Sequence, residues 1–301
     1  MSRKHPVIAI TGSSGAGTSS VRVAFEHMFL REKINVAVIQ GDSYHRFNRT
    51  EMKQTMQKAQ DEGQAYFSHF GQEANLFGEL QEAFRQYGED GSGKWRLYLH
   101  NHEECEPYSE LDLKPGEFTP WQDFEPKTDL LFYEGLHGCV VDKDIDMSPY
   151  IDLKIGVVPV INLEWIQKIH RDTSTRGYSE EAVMEAILRR MHDYVHIIIP
   201  QFQHTDINFQ RVPVVDTSDP IIARDIPTPD ESLVVIRFKD PAHFNVDFPY
   251  LLQMLDGSWM SRRNSIVVTG GKMGLAMELI MTPILQDIME ERRQLLKREA
   301  A

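Results

Sequence analysis

The sequence predicts an α/β fold in three layers, in which helices cover both faces of a mostly parallel sheet. Short runs rich in β-branched residues alternate along the chain with longer segments of helical periodicity. Several of these runs are apolar throughout, which is typical of strands buried on both faces of a parallel sheet. The predicted strands cover residues 7–11, 36–40, 130–134, 153–158, 212–216, 233–238 and 266–269.

Three segments between the strands predict helices, at residues 20–31, 163–172 and 179–198. In the last of them Ser179 precedes two glutamates and is the expected N-cap, because its hydroxyl can accept a hydrogen bond from the first helical turn. The apolar residues of this segment form one stripe, which predicts a helix with one face against the core. The stripe consists of Val183, Ile187, Met191, Tyr194, Val195 and Ile198.

Residues 45–125 differ in composition from the rest of the chain. They are rich in Gln, Glu, Gly, His and aromatic residues, and residues 94–100 look like a hairpin strand rather than a core strand. No linker separates two independent domains. We therefore expect a single domain over residues 1–301, with an insertion at about 45–125 that lines a substrate site.

The composition restricts the class of protein. Of the 301 residues, 41% are hydrophobic and 26% are charged, which is ordinary for a globular protein. The formal net charge of −13 repels polyanions, so a nucleic-acid partner is not expected, and any phosphate must bind in a local basic pocket. Two cysteines and no long apolar stretch predict a cytoplasmic protein without a membrane partner.

A glycine-rich stretch directly follows the first predicted strand and precedes a helical segment. It consists of Gly12, Ser13, Ser14, Gly15, Ala16, Gly17, Thr18 and Ser19. Gly12 and Gly17 have the spacing of a P-loop, whose backbone N–H groups bind phosphate at the start of a helix, and the hydroxyl of Ser19 is placed to bind Mg²⁺. Thr18 stands where such loops usually have lysine, and a tight turn without a ligand is the alternative. The pattern favours a P-loop fold that binds ATP.

The second predicted strand ends immediately before Asp42. In P-loop kinases for small molecules this strand end faces the terminal phosphate, and a carboxylate there can take the proton of an attacking hydroxyl. Just beyond it, Arg46, Arg49 and Lys53 have the spacing of one helix face, with His45 adjacent. The cluster predicts a site for an anionic substrate; a solvated helix face is the alternative.

The third predicted strand ends in a carboxylate, Glu134, after four apolar residues. A second acidic residue at this point of a P-loop enzyme holds Mg²⁺ directly or through water. Aspartate is commoner there, so a strand-terminal acid in a turn is the alternative. His137 follows three residues later. It is either a residue of the site or a loop histidine without a role.

A further group of charged residues lies in the helix predicted at 163–172. Lys168, Arg171 and Asp172 share one face, and Arg176 follows where the helix should give way to a mobile segment. Cations over the transferred phosphoryl group stabilise its transition state, so Lys168 is a replacement for the cation missing at Thr18. A surface salt-bridge cluster is the alternative.

Taken together, these motifs resemble those of bacterial-type phosphoribulokinase, from about residue 6 to residue 290. The stretches that carry the resemblance are TGSSGAGTS, QGDSYHRFNR, FYEGLHG, RDTSTRGYS, RRMHDYVHIIIPQF and FQRVPVVDTS. That family also has threonine at the P-loop lysine position. The resemblance implies ATP-dependent phosphorylation of the 1-hydroxyl of ribulose 5-phosphate, a phosphosugar.

Roles for individual residues follow from the same resemblance. Asp42 is the catalytic base, and His45, Arg49 and Arg176 contact the sugar phosphate, with Arg171 nearby. Lys168 is the transition-state cation, while Asp172 and Glu134 are the acidic partners of Mg²⁺. The family also implies a homo-oligomer that is activated by NADH and inhibited by AMP, with Arg237 as an effector contact.

Two other functions remain open from the sequence. A related P-loop kinase for uridine or pantothenate would need no phosphate-binding cluster at His45, Arg46 and Arg49. A nucleotide-binding regulator without catalysis would suit Thr18 but not the retention of Asp42, Glu134, Lys168 and Asp172. Ala16 replaces the P-loop cysteine of the photosynthetic-eukaryote enzymes, so thiol regulation of that kind is not expected.

Overall fold

The computed structural model of the chain describes residues 4–13, 18–64, 66–158, 160–174, 177–222 and 225–299. The strands are β1 (Val7–Gly12), β2 (Val36–Gln40), β3 (Lys94–Trp95), β4 (Gln122–Asp123), β5 (Leu130–Gly135), β6 (Leu153–Val158), β7 (Ile207–Pro213), β8 (Ser232–Phe238), β9 (Trp259–Arg262) and β10 (Ser265–Thr269).

The chain also forms α-helices, most of which lie between these strands. They are α1 (Thr18–Glu32), α2 (Arg49–Asp61), α3 (Phe77–Asp90), α4 (His102–Cys105), α5 (Ile161–Ser174), α6 (Glu180–Asp193), α7 (Ile199–Gln201), α8 (Phe248–Met254) and α9 (Met273–Glu299). A π-helix (Tyr194–Ile198) joins α6 to α7, and a 3₁₀ turn (Gly41–Tyr44) follows β2. Among the described helices, none combines the length and apolar character needed to cross a bilayer.

Eight strands form one sheet in the order β2-β5-β1-β6-β7-β8-β10-β9. The first five of these run parallel, and the remaining three are antiparallel to their neighbours. The predicted α/β fold with a mostly parallel sheet is confirmed. The carboxyl ends of β1, β2 and β5 meet at one edge, because Glu134 pairs with Ile10 on one side and with Gln40 on the other.

The two faces of the sheet explain why the central strands are apolar throughout. Ile8 and Ile10 point into one buried cluster, which α1 and α9 complete. Val7 and Ala9 point into a second cluster, where Phe84 of α3 packs. Burial on both faces removes the alternation of polar and apolar residues that a half-exposed strand would show. Because α3 belongs to residues 45–125, this segment shares the core of the sheet.

The strand predicted at 212–216 is wrong. The strand here is β7, which ends at Pro213, and Val214 and Val215 are 60% and 40% exposed. The buried residues of β7 are Ile207, Asn208 and Phe209, so a polar residue interrupts the apolar ones and no β-branched run marks the strand. Residues 94–100 are strand only at β3, which pairs with β4, while Tyr98 forms an isolated bridge to Phe118.

The helix predicted at 179–198 begins as expected. The hydroxyl of Ser179 accepts a hydrogen bond from the amide of Ala182 at 3.2 Å, which confirms the N-cap. The α-helical spacing then changes to a π-helix at Tyr194, before Pro200, which has no N–H to donate to the ladder. Val195 is therefore 47% exposed rather than part of the buried stripe.

Candidate active site

The predicted phosphate loop lies between β1 and α1. The strand ends at Gly12, Ser13 is buried, and the helix begins at Thr18, so the predicted strand and helix on either side of the glycine-rich stretch are confirmed. Four of the predicted ATP contacts lie outside the described residues, namely Ser14, Gly15, Ala16 and Gly17. Thr18 and Ser19 form the start of α1, where the orphan N–H groups of a helix favour an anion.

Asp42 and Glu134 lie at the edge where the strands end. Asp42 is in the 3₁₀ turn after β2, and Glu134 is the penultimate residue of β5. The two strand ends approach closely, because a Cβ atom added at Gly41 would lie 2.8 Å from the Cα of Gly135. Only glycine allows this contact, which draws the Asp42 turn against the end of β5.

Two histidines hold the Asp42 carboxylate. Its Oδ1 lies 3.2 Å from Nε2 of His45, and its Oδ2 lies 3.3 Å from Nε2 of His100. Burial alone would raise the pKa of Asp42, but the hydrogen bond from His45 and the charges of His45 and His100 hold it well below its usual range. Asp42 is therefore ionised at neutral pH. The sequence did not predict His100, whose only signal was the histidine-rich composition of residues 45–125.

Arg46, Arg49 and Lys53 were predicted to share one helix face, and this prediction is wrong for Arg46. The helix α2 begins at Arg49, because Asn48 caps it and Glu51 closes the capping box. Arg46 lies before the helix, and its guanidinium donates to the carbonyl oxygens of Glu73 and Asn75, both at 3.1 Å.

Arg49 lies close to the Asp42 site. Its Nη2 donates to the carbonyl oxygen of His100 at 2.9 Å, and the ring of His100 reaches Asp42. The guanidinium is at the solvent-exposed rim of the same group of residues that contains His45. The structure thus places Asp42, His45 and Arg49 together, whereas Arg176 lies outside the described residues.

The charged residues predicted in the next helix come together on α5. Nζ of Lys168 donates to Oδ2 of Asp172, and Nε of Arg171 donates to Oδ1 at 3.0 Å. Lys168 and Asp172 are 8% and 4% exposed, so the alternative of a surface salt-bridge cluster is wrong for this pair. Burial and the charge of Arg190 lower the pKa of Lys168 to about 8, against the opposing effect of Asp172.

The pKa of His69 is affected by charges of both the Asp42 group and α5. Burial, followed by the charges of Arg190 and His45, lowers the pKa of His69 to about 3. The charge of Asp42 raises the pKa of this ring and that of Lys168 lowers it. His69 is therefore neutral at neutral pH.

Glu134 and Asp172 are the two predicted acidic partners of Mg²⁺. Glu134 is half-buried and lies on β5, between β1, which leads into the glycine-rich stretch, and β2, which leads to Asp42. Both oxygens of Asp172 accept hydrogen bonds from cationic side chains. Within the part of the chain that the structure describes, no three His, Cys, Asp or Glu side chains form a metal-binding cluster. Mg²⁺ commonly uses one or two carboxylates together with substrate phosphates.

Arg237, the predicted effector contact, lies on β8. In the sheet order, β6 and β7 separate this strand from β1. Its Nη2 lies 3.4 Å from the carbonyl oxygen of Phe202. Its role with an effector stays a prediction.

We expect the stability of the protein to fall as the pH drops below about 6.5. Burial lowers the pKa of both His69 and His137 to about 3, from the ordinary 6.5. Between these values the unfolded chain binds protons that the folded chain does not, so each ring contributes a slope of about 1 kcal/mol per pH unit. The pKa of His45 is raised, so this ring is protonated in both states below 6.5 and adds no slope.

Urea denaturation at about pH 7, 6 and 5 measures this effect. Nε2 of His137 lies 3.1 Å from the carbonyl oxygen of Phe70, and a glutamine amide can donate to the same oxygen. His137→Gln should therefore lower the pH dependence of the free energy of unfolding. Equal slopes in the two proteins would contradict the assignment of His137.

The fold and the site define a class of protein. In a mostly parallel sheet, β1 leads into the glycine-rich stretch and α1, the carboxylate of Asp42 follows the end of β2, and a buried lysine–aspartate pair lies on α5. These are the parts of a P-loop phosphotransferase that acts on a small hydroxyl compound.

Comparison with known proteins narrows this class. Residues 7–218 match the model of the Phosphoribulokinase / Uridine kinase family. The chain therefore belongs to this family, as the sequence motifs predicted. It is 57% identical to phosphoribulokinase 1 of Cereibacter sphaeroides, over 97% of this chain and 99% of that protein. It is 53% identical to the probable phosphoribulokinase of Escherichia coli K12, over 97% and 99%.

A solved structure agrees with this assignment. Phosphoribulokinase from Rhodobacter spheroides superposes on the chain with a TM-score of 0.88 and 55% sequence identity. The match covers 97% of this chain and all of the other. The similarity therefore extends across the sheet, residues 45–125 and α9.

Proposed function

We propose that this protein is an ATP-dependent kinase that phosphorylates the 1-hydroxyl of ribulose 5-phosphate, giving ribulose 1,5-bisphosphate and ADP. The observation that carries the proposal is the ionised Asp42 carboxylate at the end of β2, held by His45 and His100 beside Arg49. Relatives at 53% to 58% identity over nearly the whole chain carry the name phosphoribulokinase.

Asp42 acts as the base in this reaction. A carboxylate with a lowered pKa is a poor base toward a free hydroxyl. Phosphoryl transfer has a loose transition state, however, and the hydroxyl becomes strongly acidic as its bond to phosphorus forms. The proton can then pass to Asp42 late in the reaction, while the ionised carboxylate orients the hydroxyl from the start.

Lys168 supplies positive charge near the transferred phosphoryl group. Asp172 accepts its hydrogen bond and fixes the ammonium, and Arg171 holds the other oxygen of Asp172. A fixed cation in a buried position stabilises charge that develops on the equatorial oxygens of the transition state. We propose that this lysine takes the place of the P-loop lysine, which Thr18 replaces in this chain.

ATP and Mg²⁺ are the cofactors that this chemistry needs. The loop from Gly12 to Ser19 would bind the phosphates of ATP, and Glu134 with Ser19 would hold the metal, which neutralises phosphate charge when bound. Asp172 as a second metal ligand stays a prediction, since its oxygens are occupied by Lys168 and Arg171.

A coupled ADP-release assay with ribulose 5-phosphate, uridine and pantothenate tests the proposal. We expect turnover with ribulose 5-phosphate only, and a bisphosphate product identified by mass spectrometry. Turnover with uridine or pantothenate alone would identify the related kinase, and ATP binding without turnover on any of the three would identify a regulator. Because Arg46 is engaged with carbonyl oxygens, the distinction from a uridine kinase now depends on His45 and Arg49.

Replacing Arg49 by alanine should raise the KM for the sugar phosphate by ~10–100-fold with little change in kcat. The distal phosphate keeps the same charge in the ground state and the transition state, so its contact contributes to binding of both alike. Steady-state kinetics measure the split between the two constants. Lys58→Ala, an exposed lysine of the same helix, is the matched control. A fall in kcat at unchanged KM would place Arg49 in the chemical step instead.

The regulatory proposals rest on the family resemblance. We propose a cytoplasmic homo-oligomer that NADH activates and AMP inhibits, with Arg237 as an effector contact and no nucleic-acid partner. Thiol control is not part of it. Cys139 is fully buried, and burial raises the pKa of its thiol to about 12, so it is inert toward oxidants at neutral pH. Cys105 is also buried.

A further inference from the structure

The side chain of Asn75 has a fixed orientation beside the Asp42 site. Its Nδ2 donates to the carbonyl oxygen of His69 at 2.9 Å and to that of Gly71 at 2.7 Å. Carbonyl oxygens only accept hydrogen bonds, so the amide NH₂ must face them. A flipped amide would point its oxygen at two other oxygens. Since Asn75 is only 2% exposed, its Oδ1 is fixed in the opposite direction, toward His45.

This orientation determines where His45 carries its proton. Oδ1 of Asn75 lies 2.8 Å from Nδ1 of His45, so Nδ1 must be protonated to donate to it. The other ring nitrogen, Nε2, lies 3.2 Å from Oδ1 of Asp42. A neutral ring protonated on Nδ1 would direct its Nε2 lone pair at a carboxylate. Only the imidazolium can donate at both ends.

We propose that Asn75 is a positioning residue that keeps His45 doubly protonated beside the ionised Asp42. The consequence for the reaction rests on the proposed function. The imidazolium places a positive charge at the substrate phosphate site, and it holds the base in its ionised form with one oxygen oriented. The two functions predicted separately for His45 and Asp42 thus depend on one shared proton and on an amide that touches neither substrate.

The charges around His45 are consistent with this arrangement. Burial disfavours the imidazolium, but the hydrogen bond and charge of Asp42, with the bond to Asn75, outweigh it and raise the pKa of His45. Arg190 opposes the charge. The ring of His69, 5.7 Å away, is neutral and adds no second cation. The ring of Tyr98 lies edge-on at 6.2 Å, and His100 contacts the far oxygen of Asp42.

The neutral form of the His45 ring is therefore energetically unfavourable in the native protein. Loss of its proton at high pH leaves a lone pair on Nε2 facing Asp42, because Asn75 retains the hydrogen on Nδ1. Without the Asn75 oxygen, the neutral ring could carry its hydrogen on Nε2 and still donate to Asp42. Removing Asn75 should thus make His45 lose its proton at a lower pH.

Nuclear magnetic resonance of the full chain, labelled with ¹⁵N-histidine, tests the proposal directly. The chemical shifts of the ring nitrogens are measured without substrate. His45→Gln identifies the His45 signals. We expect both ring nitrogens of His45 to be protonated at neutral pH, and the hydrogen that remains at high pH to be on Nδ1. A neutral ring with its hydrogen on Nε2 at neutral pH would overturn the proposal. The result does not depend on which substrate is phosphorylated, so it is separate from a failure of the ADP-release assay.

The pH profile of kcat/KM for the sugar phosphate gives a second test. In Asn75→Leu we expect the alkaline limb to move about one pH unit lower, a tenfold loss of proton affinity at His45. Lys168 also loses its proton on this side, so both proteins are compared in the Lys168→Met background, where that loss is absent. Asn208→Leu, another buried amide with structural hydrogen bonds to Phe202 and Thr205, is the control and should leave the limb in place.

A folded Asn75→Leu protein whose alkaline limb coincides with that of its Lys168→Met parent would refute the positioning role. The leucine leaves the carbonyl oxygens of His69 and Gly71 without their donor, so circular dichroism must first show that the variant is folded. If it does not fold, the ring-nitrogen measurement on the wild-type chain still decides between the two protonation states.

Discussion

Replacing Asp42 by asparagine should lower kcat by ~10²–10⁴-fold while leaving ATP binding nearly unchanged. The amide matches the size of the carboxylate but cannot take the proton of the sugar hydroxyl. It can also accept from only one of the two histidines, because its NH₂ end would face the N–H group of the other. The ATP loop follows a different strand, β1, and does not include this residue. Steady-state turnover and calorimetric titration with ATP measure the two effects.

Asp112→Asn is the matched control for this substitution. Asp112 is exposed and has a left-handed backbone (φ 50°), which asparagine adopts readily, so the same chemical change occurs there without strain. Turnover of Asp42→Asn within about threefold of the wild type would rule out a base at this position. Loss of ATP binding in parallel with turnover would indicate misfolding of the site instead.

Replacing Lys168 by methionine should lower kcat by ~10²–10³-fold with little change in the KM of either substrate. Methionine keeps the buried alkyl chain but removes the charge that acts on the transition state. The pKa of about 8 adds a pH effect in the wild type, since the ammonium is lost as the pH rises through that value. Activity that depends on Lys168 should therefore fall above about pH 8, and the variant should lack this alkaline loss.

Lys58→Met, which removes an exposed lysine of α2, is the matched control. Single-turnover kinetics separate the chemical step from product release. An increase in the sugar KM at constant kcat would make Lys168 a substrate-binding residue, and some other group would then have to compensate for Thr18. Removing Lys168 also takes a cationic hydrogen-bond donor away from the buried Asp172, so thermal denaturation of the variant is needed beside the kinetics.

Much of the candidate site could be predicted because each of its residues follows an apolar strand or has helical spacing in the sequence. Asp42 and Glu134 each follow an apolar strand, and parallel strands bring their carboxyl ends to one edge. Lys168, Arg171 and Asp172 share one side of a helix because of their spacing, and the structure confirms this group. For the helix the spacing along the chain determines the distance in space, and for the two strand ends the parallel pairing of β2 with β5 does.

The errors lie where local pattern and tertiary contacts compete. Arg46 has the spacing of a basic helix face, but the Asn48 cap starts α2 after it, and two backbone carbonyl oxygens bind its guanidinium. Val195 continues an apolar periodicity that the π-helix interrupts. Strand β7 was missed because a polar residue, Asn208, interrupts its buried apolar residues, Ile207 and Phe209.

The sequence by itself determined most strands of the sheet, the helix after β1, the place of Asp42 after β2 and the lysine–aspartate pair, because periodicity and motif spacing act over a few residues. Only the tertiary structure decided what surrounds Asp42. His100 and Asn75 come from distant parts of the chain, and neither belongs to a motif. Their effect depends on the direction of each hydrogen bond. The carbonyl oxygens of His69 and Gly71 fix the orientation of the Asn75 amide, and the amide oxygen keeps a proton on Nδ1 of His45. The protonated ring then holds the carboxylate of Asp42 ionised. Hydrogen-bond direction over such short distances is set by folding and leaves no periodic signal in the sequence.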